Sequence, residues 1–199
     1  MMLIEETTVP DAELPVEEFK AHLRLGTSFG QDSAQDEVLR SFLRAAMAAI
    51  EARTGKILIT RSFNWSLTLW RNRAAQGLPV APVTAINRVA IVACDGGETD
   101  VDAGSYWLAR DSQRPQLRAT GACLPAIPTA GSVVIEFDAG YGAAWSDLAS
   151  DLQQAVLLLA AHYYEFRNET ALSEGCMPFG VSSLIERYKL VRLGAGAVQ

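Results

Sequence analysis

The sequence is poor in the residues that most often carry chemistry. Its 199 residues include only three cysteines (Cys94, Cys123, Cys176) and two histidines (His22, His162). An odd cysteine count without CxxC spacing excludes a disulfide framework and offers no zinc-ligand pattern, so reduced, structural thiols are expected. No apolar run approaches the roughly 20 residues that span a bilayer. The opening Met1-Met2-Leu3-Ile4-Glu5-Glu6 lacks the basic stretch and small-residue cleavage site of a signal peptide. Synthesis in a cytoplasm, with no membrane partner, is the expectation. Positive charge is also short: the net charge of −6 argues against a dedicated nucleic-acid binder with a broad basic face.

What is present is ordinary globular material, 49% hydrophobic and 20% charged, enough for one or two domains. The charge is unevenly placed. Residues 1–37 carry nine acids (Glu5, Glu6, Asp11, Glu13, Glu17, Glu18, Asp32, Asp36, Glu37) against Lys20 and Arg24. Residues 181–199 carry Arg187, Lys189 and Arg192 against Glu186 alone. Such an acidic front and mildly basic tail suit docking between unlike faces, and also suit an ordinary solvated surface.

Apolar period divides the chain into helix, strands and helix again. Pro15 and Gly26 bracket a short helix over residues 15–25. Ser33-Ala34-Gln35-Asp36 resembles a capping box opening a longer helix, in which Val38, Leu39, Phe42, Leu43, Ala46, Ala49 and Ile50 recur at three and four and which Thr54-Gly55 closes. From residue 57 the period is two. Phe63, Trp65, Leu67 and Leu69 alternate with Asn64, Ser66, Thr68 and Trp70, as in a half-buried strand. Ile86–Ala93, Ser132–Asp138 and, more weakly, Tyr106–Ala109 are further strands, and Asp95-Gly96-Gly97 is a hairpin turn. Strands without intervening helices predict an antiparallel sheet. A capping box at Ser150-Asp151-Leu152-Gln153 opens a helix so apolar (Leu152, Ala155, Val156, Leu157, Leu158, Leu159, Ala160, Ala161, Tyr163) that it must be buried on more than one side, in a bundle or against another subunit. Gly175, Pro178 and Gly180 mark a loop, and Ser183-x-x-Glu186 starts a last helix.

The predicted fold is α+β: a small bundle of about four helices interrupted by an antiparallel β insertion. Its parts are a flexible N-terminus (1–13), a helical domain (14–56 with 143–193), the insertion (57–142) and a flexible tail (194–199). Seven arginines balance seven acids in the insertion, so the net charge lies on the helical part.

Catalytic patterns are thin. Gly26-Thr27-Ser28-Phe29-Gly30 fits the GxSxG nucleophile elbow, but a helix precedes it where the elbow needs a strand. A hydrolase using Ser28 with His162 as base is the enzymatic alternative. His162 and Glu165 share a helix face without the further ligands a metal requires. Asp95–Asp102 lacks the alternating oxygen ligands of a calcium loop, and Thr54-Gly55-Lys56 lacks the upstream glycine of a phosphate loop. Trp65, Trp70, Tyr106 and Trp107 read as aromatic core ahead of base-stacking residues. An interaction protein with no cofactor and no catalytic residue is the expectation.

Taken in order, these segments resemble the head-to-tail connector, or adaptor, proteins of tailed bacteriophages and of gene transfer agents. The resemblance runs from about residue 14 to residue 193. It rests on Val16–Leu25, the helix ending Ala49–Gly55, the strand with Trp65 and Trp70, Leu78-Pro79-Val80-Ala81-Pro82-Val83, Val133–Gly142, Leu152–Asn168 and Met177-Pro178-Phe179-Gly180-Val181. It implies a structural virion protein forming a ring, usually of twelve copies, beneath the portal at the head–tail joint. Such a ring extends the DNA channel without sequence-specific binding and docks a stopper or tail-completion protein. Another neck component of that kind is the alternative. Within this reading, Leu184, Tyr188, Lys189, Arg192 and Leu193 are candidates for portal docking. Leu152, Val156, Leu159, Tyr163, Trp65 and Trp70 are candidates for subunit packing.

Overall fold

Two apolar patterns of different period build two cores. The computed structural model of the chain describes residues 1–24, 33–167 and 177–189. Among these the fold is α+β, with four α-helices and antiparallel sheets. The helices are α1 (Val16–His22), α2 (Ser33–Thr54), α3 (Ser150–Glu165) and α4 (Phe179–Ile185). The strands are β1 (Met2–Glu5), β2 (Arg61–Leu67), β3 (Ala75–Gly77), β4 (Val83–Val92), β5 (Glu98–Asp100), β6 (Tyr106–Ala109), β7 (Gln116–Ala119) and β8 (Ser132–Ala139).

The three-and-four spacing puts Leu39, Leu43, Ala46, Met47 and Ile50 of α2 in one buried cluster with Leu152, Ala155, Val156, Leu159 and Ala160 of α3. Phe19 of α1 and Val181 and Ile185 of α4 complete it. Each fully buried large side chain contributes about 1.5–3 kcal/mol. The very apolar α3 is therefore central to the bundle, in contact with α1, α2 and α4.

The second core lies on a five-stranded sheet of order β1-β2-β8-β4-β5. On β2, Phe63, Trp65 and Leu67 are buried while Ser62, Asn64 and Ser66 are not. On β8, Val133, Ile135, Phe137 and Ala139 alternate in the same way. Register pairs Phe63 with Phe137, whose rings stack at 5.6 Å. A three-stranded sheet, β3-β7-β6, sends Leu117 into this core, and the following loop adds Leu124.

The chain passes from helices to sheets and back through a joint of three adjacent segments. There the N–H of Ile57 donates to the carbonyl of Ala81, that of Thr60 to Gly142, that of Tyr141 to Leu58 and that of Gly140 to Pro82. Gly140 has φ +149°, and a Cβ there would lie 2.4 Å from the Thr60 Cα. Only glycine permits this approach.

Several sequence expectations need correction. The first helix ends at His22, not 25: Leu23 is its C-cap and Arg24 takes a left-handed conformation (φ 56°), while Gly26, expected just past its end, lies outside the described residues. Residues 1–13, expected to be flexible, contain β1 paired antiparallel with β2, a 3-10 turn at Asp11–Glu13 and the buried Val9. The alternation of β2 stops at Leu67: the chain turns, Leu69 is exposed and Trp70 is buried, its indole N–H donating to the Pro125 carbonyl at 2.7 Å. Ser150 caps nothing. Ala149 is the N-cap, Asp151 accepts from the Leu152 N–H, and Gln153 donates to the Trp145 carbonyl. The last helix begins at Phe179 after Pro178, so Gly180 and Ser183 are inside it, the proline fixing the backbone at its start. The long helix over Ser33–Thr54, closed by Gly55 (φ +68°), and the Asp95–Gly97 turn lie where expected.

Candidate assembly surfaces

The acidic N-terminal segment is strapped to the joint by charge. Arg61, 9% exposed, donates to Glu5 at 2.8 Å and to Glu51 at 2.5 Å. Glu51 also accepts the Leu58 N–H. Burial pushes the Glu51 carboxyl above its usual range, and the Arg61 guanidinium only partly pulls it back. Asp11 pairs with Arg44 at 2.5 Å, and Ser62 donates its N–H to the Thr7 hydroxyl. A cleft between this strap and α2, lined by Val9, Met47 and the paired Glu5, Arg44, Glu51 and Arg61, thus presents charges that already have partners. Lys20 lies between Glu17 and Asp36, whose hydrogen bonds hold its ammonium above the usual range. The Trp145 indole N–H donates to Glu18.

The C-terminal surface is α4 and the 3-10 turn Glu186–Tyr188. The Tyr188 hydroxyl donates to Asp151 at 2.7 Å and accepts from Arg187, which pairs with Asp151 at 2.8 Å. Tyr188 packs edge-on against Tyr141, and burial lifts the Tyr141 phenol to about 12. Lys189 pairs with Glu186. Phe179, at the start of α4, is 89% exposed.

The small sheet turns a third surface outward. On its strands Leu117 points in while Trp107 and Arg118 point out. They sit opposite each other in the β6–β7 ladder with the guanidinium 5.7 Å from the ring centroid, in cation–π range. The β4–β5 hairpin is closed by Arg88, which holds Glu98, Asp100 and Glu136.

Catalytic geometry does not assemble among the described residues. His162 is half-buried against the Phe166 ring at 4.7 Å, and no group of three or more His, Cys, Asp or Glu is placed to hold a metal ion. Ser28 lies outside the described residues. No described helix is long and apolar enough to cross a membrane.

No family model and no curated protein matches the chain, but solved structures do. A chain from the neck of an empty GTA particle computed with C6 symmetry is 53% identical, with TM-score 0.89 over 98% of this chain and 99% of that one. A chain from the virion of the native gene transfer agent particle is 53% identical, with TM-score 0.86 and the same coverage. A third, from the native neck computed with C12 symmetry, is 50% identical, with TM-score 0.84. This chain belongs to the gene transfer agent neck proteins. These are structural proteins of the virion, and the neck is their location.

For a neck protein, most of the side chains expected to pack against neighbours are spent internally. Leu152, Val156, Leu159 and Trp65 are at most 1% exposed and Trp70 7%, because α3 is enclosed by its own bundle and both indoles fill the sheet core. Tyr163 alone keeps partial exposure. Of the portal-docking candidates, Leu184 and Lys189 are half-buried, Tyr188 is buried, and Arg192 and Leu193 lie outside the described residues. Apolar surface instead sits on the edge strand β1 (Met2, Leu3, Ile4) and on Val38, Leu69, Trp107, Phe166 and Phe179. Cys94 and Cys123 are free thiols on the surface, not buried ones; Cys176 lies outside the described residues.

Proposed function

We propose that this neck protein is the head–tail adaptor of its particle: a ring of twelve copies beneath the portal that extends the DNA channel and docks a stopper or tail-completion protein. The observation carrying the reading is the near full-length likeness, at 50–53% identity, to chains from necks computed with C12 and C6 symmetry. The helix–sheet–helix order of the chain supports it. So does the negative net charge, since a wall that repels phosphate lets DNA slide past. The α4 end, with Leu184, Tyr188 and Lys189 leading to Arg192 and Leu193, is the portal-facing element of this reading. Tyr188 holds that end against α3 through Asp151, so a docking tail would start from a fixed point.

Deleting the gene in the producing host and imaging the particles by negative-stain electron microscopy tests the role. The expected result is heads without tails together with free tails; normally tailed particles overturn it. A pull-down on purified portal then separates adaptor from stopper. The adaptor binds portal directly, and truncation after Lys189, which keeps the buried Val181, Ile185 and Tyr188, abolishes that binding.

A further inference from the structure

The small sheet carries arginines that no acid among the described residues neutralises. Arg71, Arg73, Arg110, Arg114 and Arg118 are all exposed, and none forms an ion pair among the described residues. Arg71 and Arg73 lead into β3, Arg118 is central on β7 beside Trp107, and Arg110 and Arg114 bound the β6–β7 loop. The one acid of that loop, Asp111, accepts the N–H groups of Gln113 and Arg114, which hold its carboxyl below the usual range. Around the Trp107–Arg118 pair the outward positions are the small Ala75, Gly77 and Ala109 and the uncharged Gln116. An exposed tryptophan and arginine on a flat face are the residue types that anchor protein interfaces.

The complementary surface is in the same chain. Glu6, Glu13 and Glu17 stand on the N-terminal front, and Glu6 and Glu13 have no ion-pair partner among the described residues. The two surfaces are apart: the front follows β1 at one edge of the large sheet, whereas β6 packs on β4, about 14 Å away at three strand spacings. Two unlike, separated surfaces of opposite sign are what a heterologous, ring-closing contact requires. We propose that neighbouring copies join head to tail, the Trp107–Arg118 face and its flanking arginines on one copy receiving the Glu6–Glu13–Glu17 front of the next. The inference rests on the ring reading above and names its contact.

The test complements the deletion host with three full-length variants and counts tailed particles. R71E/R73E/R114E and E6R/E13R/E17R are each expected to lower the count about tenfold or more, by placing like charges face to face. Combining all six reversals restores opposite signs and is expected to return the count to within about threefold of wild type. An arginine reversal that leaves tailing intact overturns the contact. So does a loss that the combined reversals do not rescue; if that loss comes with rings still in place and emptied capsids, the face serves DNA and not a second copy. Thermal melts of the purified variants check folding; if a reversal melts low, R71A/R73A/R114A, or on the acid side E6R/E13R, which leaves Glu17 on the buried Lys20, must reproduce the loss in weaker form, and R71E/R73E with E6R/E13R must restore the count. If the deletion host itself makes tailed particles, the neck reading fails. If it does not, and the reversals are silent, only this contact fails.

Discussion

Arg61 and Arg118 are both strand arginines, yet the molecule uses them in opposite ways. At the joint between the halves, Arg61 is 9% exposed and bonded to two carboxylates from two earlier segments, Glu5 of β1 and Glu51 of α2. On the small sheet, Arg118 faces solvent with an indole and no carboxylate beside it. A buried charge must be paired, and breaking the pair is expensive. An exposed one contributes little to stability and keeps its charge available for a partner. The joint and the outer sheet thus separate holding the fold from presenting a surface, and substitutions at the two should report on different measurements.

The largest expected effect is Gly140→Ala. Its Cβ would meet Thr60 Cα at 2.4 Å and Thr60 N at 2.5 Å, with φ at +149°. Strain and overpacking together should cost about 4 kcal/mol, lowering Tm by about 10 °C in a circular-dichroism melt. An unchanged Tm would mean the joint is looser than its geometry. Next is Arg61→Ala, at about 3 kcal/mol, because it leaves Glu51 buried and Glu5 nearby without a counter-charge. Burial already holds the Glu51 carboxyl above its usual range, and losing Arg61 lifts it further. The folded variant then binds a proton more tightly than the unfolded chain, so the variant recovers stability as pH falls and loses it as pH rises. The Tm gap to wild type should narrow between about pH 7 and about pH 5; a gap independent of pH would remove Glu51 from the explanation. The smallest effect on stability is Trp107→Ala on the outer sheet, about 1 kcal/mol, because the side chain is already half exposed. Its count of tailed particles should nonetheless fall severalfold. A Tm loss as large as that of Arg61→Ala would erase the distinction between the two regions.

The elements whose residues repeat over several turns were legible before any coordinates. Leu39 through Ile50, Leu152 through Ala160 and Val133 through Phe137 declare their faces by spacing, and α2, α3 and β8 lie where that spacing puts them. Short elements were not. β1 has four residues, all exposed at a sheet edge, so no alternation marks it. β3 and β7 have three and four, and only pairing within the small sheet, β3 with β7 and β7 with β6, makes them strands. The start of α4 was hidden because Ser183-x-x-Glu186 imitates a cap, while Pro178 supplies the true start. Surface candidates fared worst. Apolar spacing identifies buried positions, so Leu152, Val156, Leu159 and Trp65 were chosen by the property that removes them from any interface. The Glu5–Arg61–Glu51 contacts join residues 56 and 10 positions apart, a pairing no local pattern encodes.

The joint has a mechanical consequence. Because the chain goes out through residues 57–60 and returns through 139–142, hydrogen-bonded to each other and to Ala81 and Pro82, the two halves are linked by a stitched seam and not by a single tether. Twisting one half against the other would have to tear several backbone bonds at once. A pull on one half is therefore shared among several backbone bonds and not borne by one.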